Sequence, residues 1–283
     1  MEELTRAYFA ECKHFRFTVL PLWHWVLAEC TYASNFGHFS GVSLSRDKAT
    51  AVEKAKSEAL ERLVYGAWRN TGISPFTLGR EECPQTSTGF AAHPDCEVSK
   101  RIGFYEFHER ASLAAISNSK LRLIETKVPN LGFLFFEALK RIRCDLKAYV
   151  SERQPYFCFA MGELFSSQAI FGSASSETSK GAIDKAVIEC VRKLAFCKKW
   201  KDNVNSSDPF FKAAGFWLSE RGLRSARDFC KRALLASPYP SQSYENFDEL
   251  SVSQMTLDGR FVSYYHNSSA LLAAPNGFEI PLL

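Results

Sequence analysis

This sequence predicts an α/β (α+β) fold with mixed sheets and internal strand-loop-helix repeats. Three observations carry that expectation. Short β-rich runs such as "YFCFAMGEL" and "SQAIFGS" alternate with long helix-forming stretches. One local plan recurs three times: a glycine, a polar loop, then a helix bearing a glutamate 17 residues after the glycine. Hydrophobic residues make up 46% of the 283 positions, enough for a substantial core.

The repeats begin at Gly41, Gly89 and Gly172 and reach Glu58, Glu106 and Glu189. Small residues stand three before each glutamate (Ala55, Gly103, Ala186) and seven before it (Ala51, Ser99, Ala182). At those offsets they share a helix face with the glutamate, so another backbone or a ligand can approach the carboxylate closely. Helix starts are signalled by Ser45 and Asp47, by His93-Pro94-Asp95, and by Ser176 to Thr178.

In chain order, "FTVL" predicts a strand before the first repeat, whose helix carries an apolar stripe of Val52, Ala55, Ala59, Leu63 and Ala67. Glu58 and Glu61 lie off that stripe, as on an ordinary solvated helix face. The second repeat helix is different. Ile102, Tyr105, Leu113 and Ile116 share a face with Glu109, and Phe104 and Phe107 cover another side. A carboxylate there must be paired or bound to a cation, and Arg110 offers a structural ion pair as one solution. Strands follow at "RLIETKV", "LKAYVSE", "YFCFAMGEL" and "SQAIFGS", with "NLGFLFFEALKRIRCD" as a buried helix between the first two. Glu189 in the third repeat helix has Ala182, Ala186 and Phe196 on its face. Residues 208–235 read as further helix with Phe210, Phe211, Phe216, Trp217 and Leu218 packed, Pro238–Ser243 as a loop, and "RFVSYYH" as a late strand. A single domain over 1–283 is expected, with motif repeats at about 37–69, 85–116 and 168–197 and a helical and strand segment over 206–283.

The bulk numbers exclude several classes. A net charge of +4, spread along the chain, gives no basic stripe for nucleic acid, and Lys198, Lys199 and Lys201 read as a solvated helix end. Nine scattered cysteines without C-x-x-C suit free thiols in a reducing, cytoplasmic setting and no zinc site, which leaves the sequons at Asn205 and Asn267 without meaning. Cys96 and Cys190 read as small core residues. The opening "MEELTRAYFAECKHF" is not a secretory signal, and "FTVLPLWHWVLAEC" and "NLGFLFFEAL" are too short to span a bilayer. No P-loop and no G-x-G-x-x-G opening a helix is present. His93 reads as a cap or loop residue, and His108 points elsewhere on the wheel than its flanking glutamates.

Converging glutamates repel one another unless a hard cation sits among them, and magnesium takes such oxygens together with phosphate. Arginine beside them contacts phosphate bidentately. Carboxylates, divalent metal and arginine describe a nucleotide triphosphate site without a P-loop.

The motifs resemble those of the YcaO family. Its first pattern, A-x3-A-x2-E-A-x-E-R after a glycine-led loop, is met by Ala51, Ala55, Glu58, Ala59, Glu61 and Arg62. Its second, S-N-G-x-A-A then E-x-x-E-R, is met by "STGFAAH" with Glu106, Glu109 and Arg110; its third by Ala182, Ala186 and Glu189. The resemblance covers roughly residues 37–197. It departs in the short step of 45 residues from Glu61 to Glu106, in Lys54 four before Glu58, and in the ending "GFEIPLL". The resemblance implies ATP- and magnesium-dependent O-phosphorylation of a peptide backbone amide, giving azoline heterocycles or thioamides in a ribosomally made peptide. It implies magnesium and ATP held by Glu58, Glu61, Glu106, Glu109 and Glu189, with Arg110 on the phosphates and no assigned catalytic residue. A precursor peptide and a peptide-recognition protein are the implied partners, nucleic acid and membrane are not, and a homodimer is allowed. Two alternatives stand beside it: a non-catalytic YcaO-like scaffold or peptide-binding subunit, and an unrelated α/β protein whose Glu-Arg pairs are structural.

Overall fold

The computed structural model describes residues 11–20, 25–76, 87–128, 143–164, 168–200, 218–236 and 251–266, with positions 83, 139 and 216. Its elements run β1 (Glu11–Leu20), β2 (Trp25–Ser34), β3 (Gly37–Ser45), α1 (Lys48–Thr71), β4 (Phe90–His93), α2 (Cys96–Ser117), β5 (Ile124–Thr126), β6 (Cys144–Val150), β7 (Tyr156–Leu164), β8 (Gln168–Ser176), α3 (Ser179–Trp200), α4 (Glu220–Leu235), β9 (Ser251–Leu257) and β10 (Arg260–His266). The α/β class with strand-loop-helix units is as expected. The three sheets have orders β1-β2-β3, β4-β10-β9 and β5-β6-β7-β8. Every pairing among the described strands is antiparallel, so the parallel component of a mixed sheet is not among them.

The chain divides into two compact units, residues 1–107 with 244–268 and residues 108–243 with 269–283, where one domain over 1–283 was expected. The first contains β1–β4, α1, the first half of α2, β9 and β10. Its core joins Ala51, Ala55 and Ala59 to Trp68, Phe76, Phe90 and Tyr264. The indole of Trp68 meets the Tyr264 ring edge-on at 5.6 Å. The second unit contains the rest of α2, β5–β8, α3 and α4. Here Leu113 and Ile116 of α2 pack with Phe159, Phe171 and Phe229, and the strand ring of Phe159 lies 4.8 Å from the helix ring of Phe229.

The repeat helices start where the sequence says they should. Thr50 N–H donates to the Asp47 carboxylate (2.6 Å), Val98 N–H to Asp95 (2.9 Å) and Gly181 N–H to the Thr178 hydroxyl (3.1 Å), each satisfying an orphan first-turn donor. What fixes each helix on its strand is steric. A Cβ at Gly41 would stand 2.2 Å from Ala55 O, 2.4 Å from Ala59 N and 2.9 Å from Glu58 Cβ. A Cβ at Gly172 would meet Ala186 O, Cys190 N and Glu189 Cβ at the same three distances. The strand backbone therefore lies directly on the helix backbone, and Ala55 and Ala186 are fully buried beneath it. The second repeat inverts the arrangement: Gly103 on α2 faces the carbonyl of Gly89, 2.8 Å from where its Cβ would be.

Several expectations are corrected. "NLGFLFFEALKRIRCD" ends in strand, because Cys144 and Asp145 pair with Leu164 and Glu163; Leu139 is helical and buried. Among the described residues of 208–235, Phe216 is helical and α4 begins at Glu220, where the Ser219 hydroxyl caps it. The strand at "RLIETKV" is only Ile124–Thr126. Ile102 is exposed, since α2 packs through Gly103 instead. Cys96 is half-buried in the first turn of α2, its thiol near Glu97, whereas Cys190 is a core residue. Strands β2, β3, β4 and β9 add to those the sequence suggested. Residues 130–138, Phe210, Phe211, Trp217, Pro238–Ser243 and the sequons at Asn205 and Asn267 lie outside the described residues. Cysteines 30, 83, 96, 144, 158, 190 and 230 are free thiols.

Gly41→Ala and Gly172→Ala are each expected to lower stability by about 1–3 kcal/mol or more, because a helix backbone cannot move aside for a methyl group. Urea unfolding of both variants beside wild type checks this. Loss confined to one of the two would contradict the shared packing.

Candidate functional site

Each close approach positions an acid. On α1, Glu58 Oε2 accepts the Val42 N–H (2.8 Å), the amide immediately after Gly41. Its other oxygen accepts from Arg62 Nη2 (2.7 Å), while Arg62 Nη1 donates to the Ser40 carbonyl (2.6 Å). One turn on, Glu61 Oε1 accepts the Ala92 N–H of β4 (2.8 Å). The solvated face expected for these two glutamates is therefore corrected: both turn back onto strand amides, which the alanine stripe lets come near.

Glu106 of α2 joins the same unit. Burial, and after it the neighbouring Glu106 carboxylate, push Glu61 well above the usual carboxylate range; Glu58 adds to the push and the Ala92 amide opposes it. The first unit thus holds two or three carboxylates close enough to repel one another in a partly dry setting.

In the second unit, Glu109 Oε1 accepts the Ser173 hydroxyl (2.6 Å), from the residue directly after Gly172. Burial raises Glu109, Arg110 and the Ser173 hydroxyl oppose it, and Glu189 adds to it. Glu189 on α3 accepts from Arg192 Nη2 (2.7 Å), with Lys193 Nζ at 4.0 Å. Burial pushes Glu189 up, but Arg192 and Lys193 outweigh it and hold the carboxyl below its ordinary value. Lys193 is itself brought down to about 8 by burial, against the pull of Glu189, and lies over the Phe171 ring at 4.5 Å.

The predicted residues fall into two sets, Glu58, Glu61 and Glu106 in the first unit and Glu109, Arg110 and Glu189 in the second. Sequence reading missed Ser173, Arg192, Lys193 and the Val42 and Ala92 amides. Arg192 and Lys193 were visible as the i+3 and i+4 partners of Glu189, as Arg62 is of Glu58. The amides carry no sequence signature. His93 is a loop-facing residue whose Nδ1 accepts the Asp95 N–H (2.9 Å). His108 is buried beside the Ser175 hydroxyl (2.8 Å), and burial pushes its imidazole down to about 4, so it is neutral at pH 7.

Among the described residues no three His, Cys, Asp or Glu side chains are grouped so as to hold a metal ion by themselves. Magnesium is held by one or two carboxylates, with phosphate and water completing the shell. The chemistry of the donors fits: Glu61 beside Glu106, and Glu109 beside Arg110, are half-buried acids whose charge a hard cation would offset. No helix among the described residues is long and apolar enough to cross a membrane.

No family model matches the chain and no curated protein does. Solved structures do. The structure of YcaO from Methanopyrus kandleri bound with AMPPCP and Mg2+ is 15% identical, covers 95% of this chain and 88% of its own, and gives a TM-score of 0.58. The E. coli microcin synthetase McbBCD complex with pro-MccB17 bound gives 0.61 at 11% identity, over 89% and 86%. A heterocyclase in complex with substrate and cofactor gives 0.58 at 14% identity, over 90% of this chain and 49% of that one. The chain has the fold of these YcaO and heterocyclase structures.

Glu61→Gln tests the strain among the acids. A carboxyl raised in the folded state contributes stability at low pH that is lost as pH rises from its ordinary 4.5 through the folded value. Urea unfolding in EDTA is expected to show wild type losing stability over that window and the variant less so. The variant should be the more stable protein at pH 7 and not at pH 4. Parallel pH profiles would show that Glu61 does not titrate abnormally.

Proposed function

We propose that this protein is an ATP- and magnesium-dependent enzyme that activates a peptide backbone amide by O-phosphorylation, giving azoline heterocycles or thioamides in a ribosomally made peptide. The observation that supports this most is the pair of neighbouring half-buried carboxylates Glu61 and Glu106, held on a fold shared with a YcaO bound to AMPPCP and Mg2+.

Glu61, which stands beside Glu106, and in the second unit Glu109 are the carboxylates best suited to magnesium, because burial holds both above their ordinary range and a hard cation would offset that. Glu58 and Glu189 already accept arginine hydrogen bonds. Their part is to fix the helices on the strands and to contact nucleotide or metal through their remaining lone pairs. Arg110 is the phosphate contact, with Lys193 adding positive charge nearby in its unit. ATP supplies the phosphoryl group that makes an amide oxygen a leaving group. The protein contributes positioning and charge neutralisation, as phosphoryl transfer demands. The Ser173 hydroxyl keeps Glu109 aimed and partly offsets the effect of its burial. A precursor peptide is the substrate and a peptide-recognition protein the partner.

A second reading is a non-catalytic YcaO-like subunit of a peptide-modifying complex. It is favoured by the internal arginine partners of Glu58 and Glu189 and by likeness to a structure of the McbBCD complex.

Calorimetry of ATP and ADP, with and without magnesium, separates the two. Wild type is expected to bind with an affinity on the order of micromolar only when magnesium is present, and Glu109→Gln at least about tenfold more weakly. A folded wild-type protein that binds neither nucleotide would overturn the enzyme reading and leave the scaffold.

A further inference from the structure

Helix α4 is amphipathic. Leu223, Ala226, Phe229, Cys230 and Ala233 are buried in the second unit's core. The outward stripe runs Arg224, Arg227, Lys231, Leu235, at steps of 3, 4 and 4 residues, so these side chains follow one line along the helix. The line is about 16 Å long at 1.5 Å per residue. Arg227 is ion-paired to Glu163 (2.5 Å). Arg224 and Lys231 have no acidic partner among the described residues.

The stripe ends in a depression of about 470 Å³ lined by Ser119, Asp228, Lys231, Arg232, Leu235 and Ala236. Arg232 Nη1 reaches the Ser117 carbonyl at 3.5 Å, which holds that guanidinium at the rim. Leu235 is 72% exposed and Leu234 39%, beside a bonded contact of α4 with the strand β5 region, where Ile124 is 40% exposed. Cations along a helix, then a concave end with a bare leucine, present charge and apolar surface in a fixed order.

We infer that this face docks an acidic peptide segment that ends in an apolar residue, its carboxylates along Arg224 and Lys231 and its apolar side chain against Leu235. The charge is complementary to carboxylates, and the exposed leucines supply area that only an apolar group would cover. Nucleic acid fits less well. No aromatic ring is presented on the outward stripe for base stacking, and phosphates would leave Leu235 uncovered. A membrane surface fits less well too, since apolar residues occupy only one end of the helix. The inference does not rest on nucleotide chemistry and stands or falls apart from it.

Fluorescence anisotropy on the full chain tests it, with a labelled 12-residue peptide of alternating Glu and Ser closed by Leu-Leu. The peptide is expected to bind in low salt and weaken as salt is raised. Binding should fall at least about tenfold in Arg224→Glu/Lys231→Glu and several-fold in Leu235→Ser, all outward positions whose change leaves the circular dichroism spectrum intact. The same peptide with Gln for Glu should not bind. No binding by wild type, or equal binding by wild type and the charge-reversed variant, would overturn the proposal. So would a 12-nucleotide single strand or phosphatidylserine vesicles binding through Arg224 and Lys231 when the peptide does not.

Discussion

The contact on which the rest depends is the approach of a strand backbone to a helix backbone with nothing between them. At Gly41 and Gly172 the missing side chain leaves a helix carbonyl and amide where a Cβ would be. At Gly41 the two backbones bring the following amide, Val42 N–H, within reach of Glu58 one helical turn along α1. At Gly172 the glutamate so placed is Glu189 of α3, while the Ser173 hydroxyl after the glycine reaches Glu109 on the other helix, α2. Dispersion between closely packed atoms holds the surfaces together, and the alanines at 51, 55, 182 and 186 keep the helix faces flat enough to permit it.

Placing acids in such a seam costs free energy, and the protein meets the cost in two ways. Glu58 and Glu189 take arginine from their own helix and become neutral ion pairs. Glu61 and Glu109 receive a single hydrogen bond each from a strand, and both stay reluctant to ionise. The first kind of acid serves the architecture at once, and the second kind keeps a carboxyl whose charge its surroundings offset less fully.

Much of this was legible in the sequence. The 17-residue step from glycine to glutamate, with small residues at fixed offsets, announced the seam, and the three capping signals were all met. What the pattern does not carry is where a carboxylate turns. By helical periodicity Glu58 and Glu61 belong to the outer face of α1, and only a strand amide arriving over Ala55 and Ala59 draws them inward. The exposure of Ile102 has the same origin, since Gly103 gives α2 its closest contact and the isoleucine beside it is left outside. Strand β4 was missed because "FAAH" is only four residues long, and its pairing with β10 joins segments far apart in the chain.

A seam built from absent side chains has a further consequence for how such a protein is recognised. The information that fixes it is a handful of glycines and alanines at set distances, residues common in any sequence. Everything between them is free to drift so long as no bulk enters the contact. The fold likeness to the solved structures stands at 10–15% identity, where comparison of residues one by one has little to register.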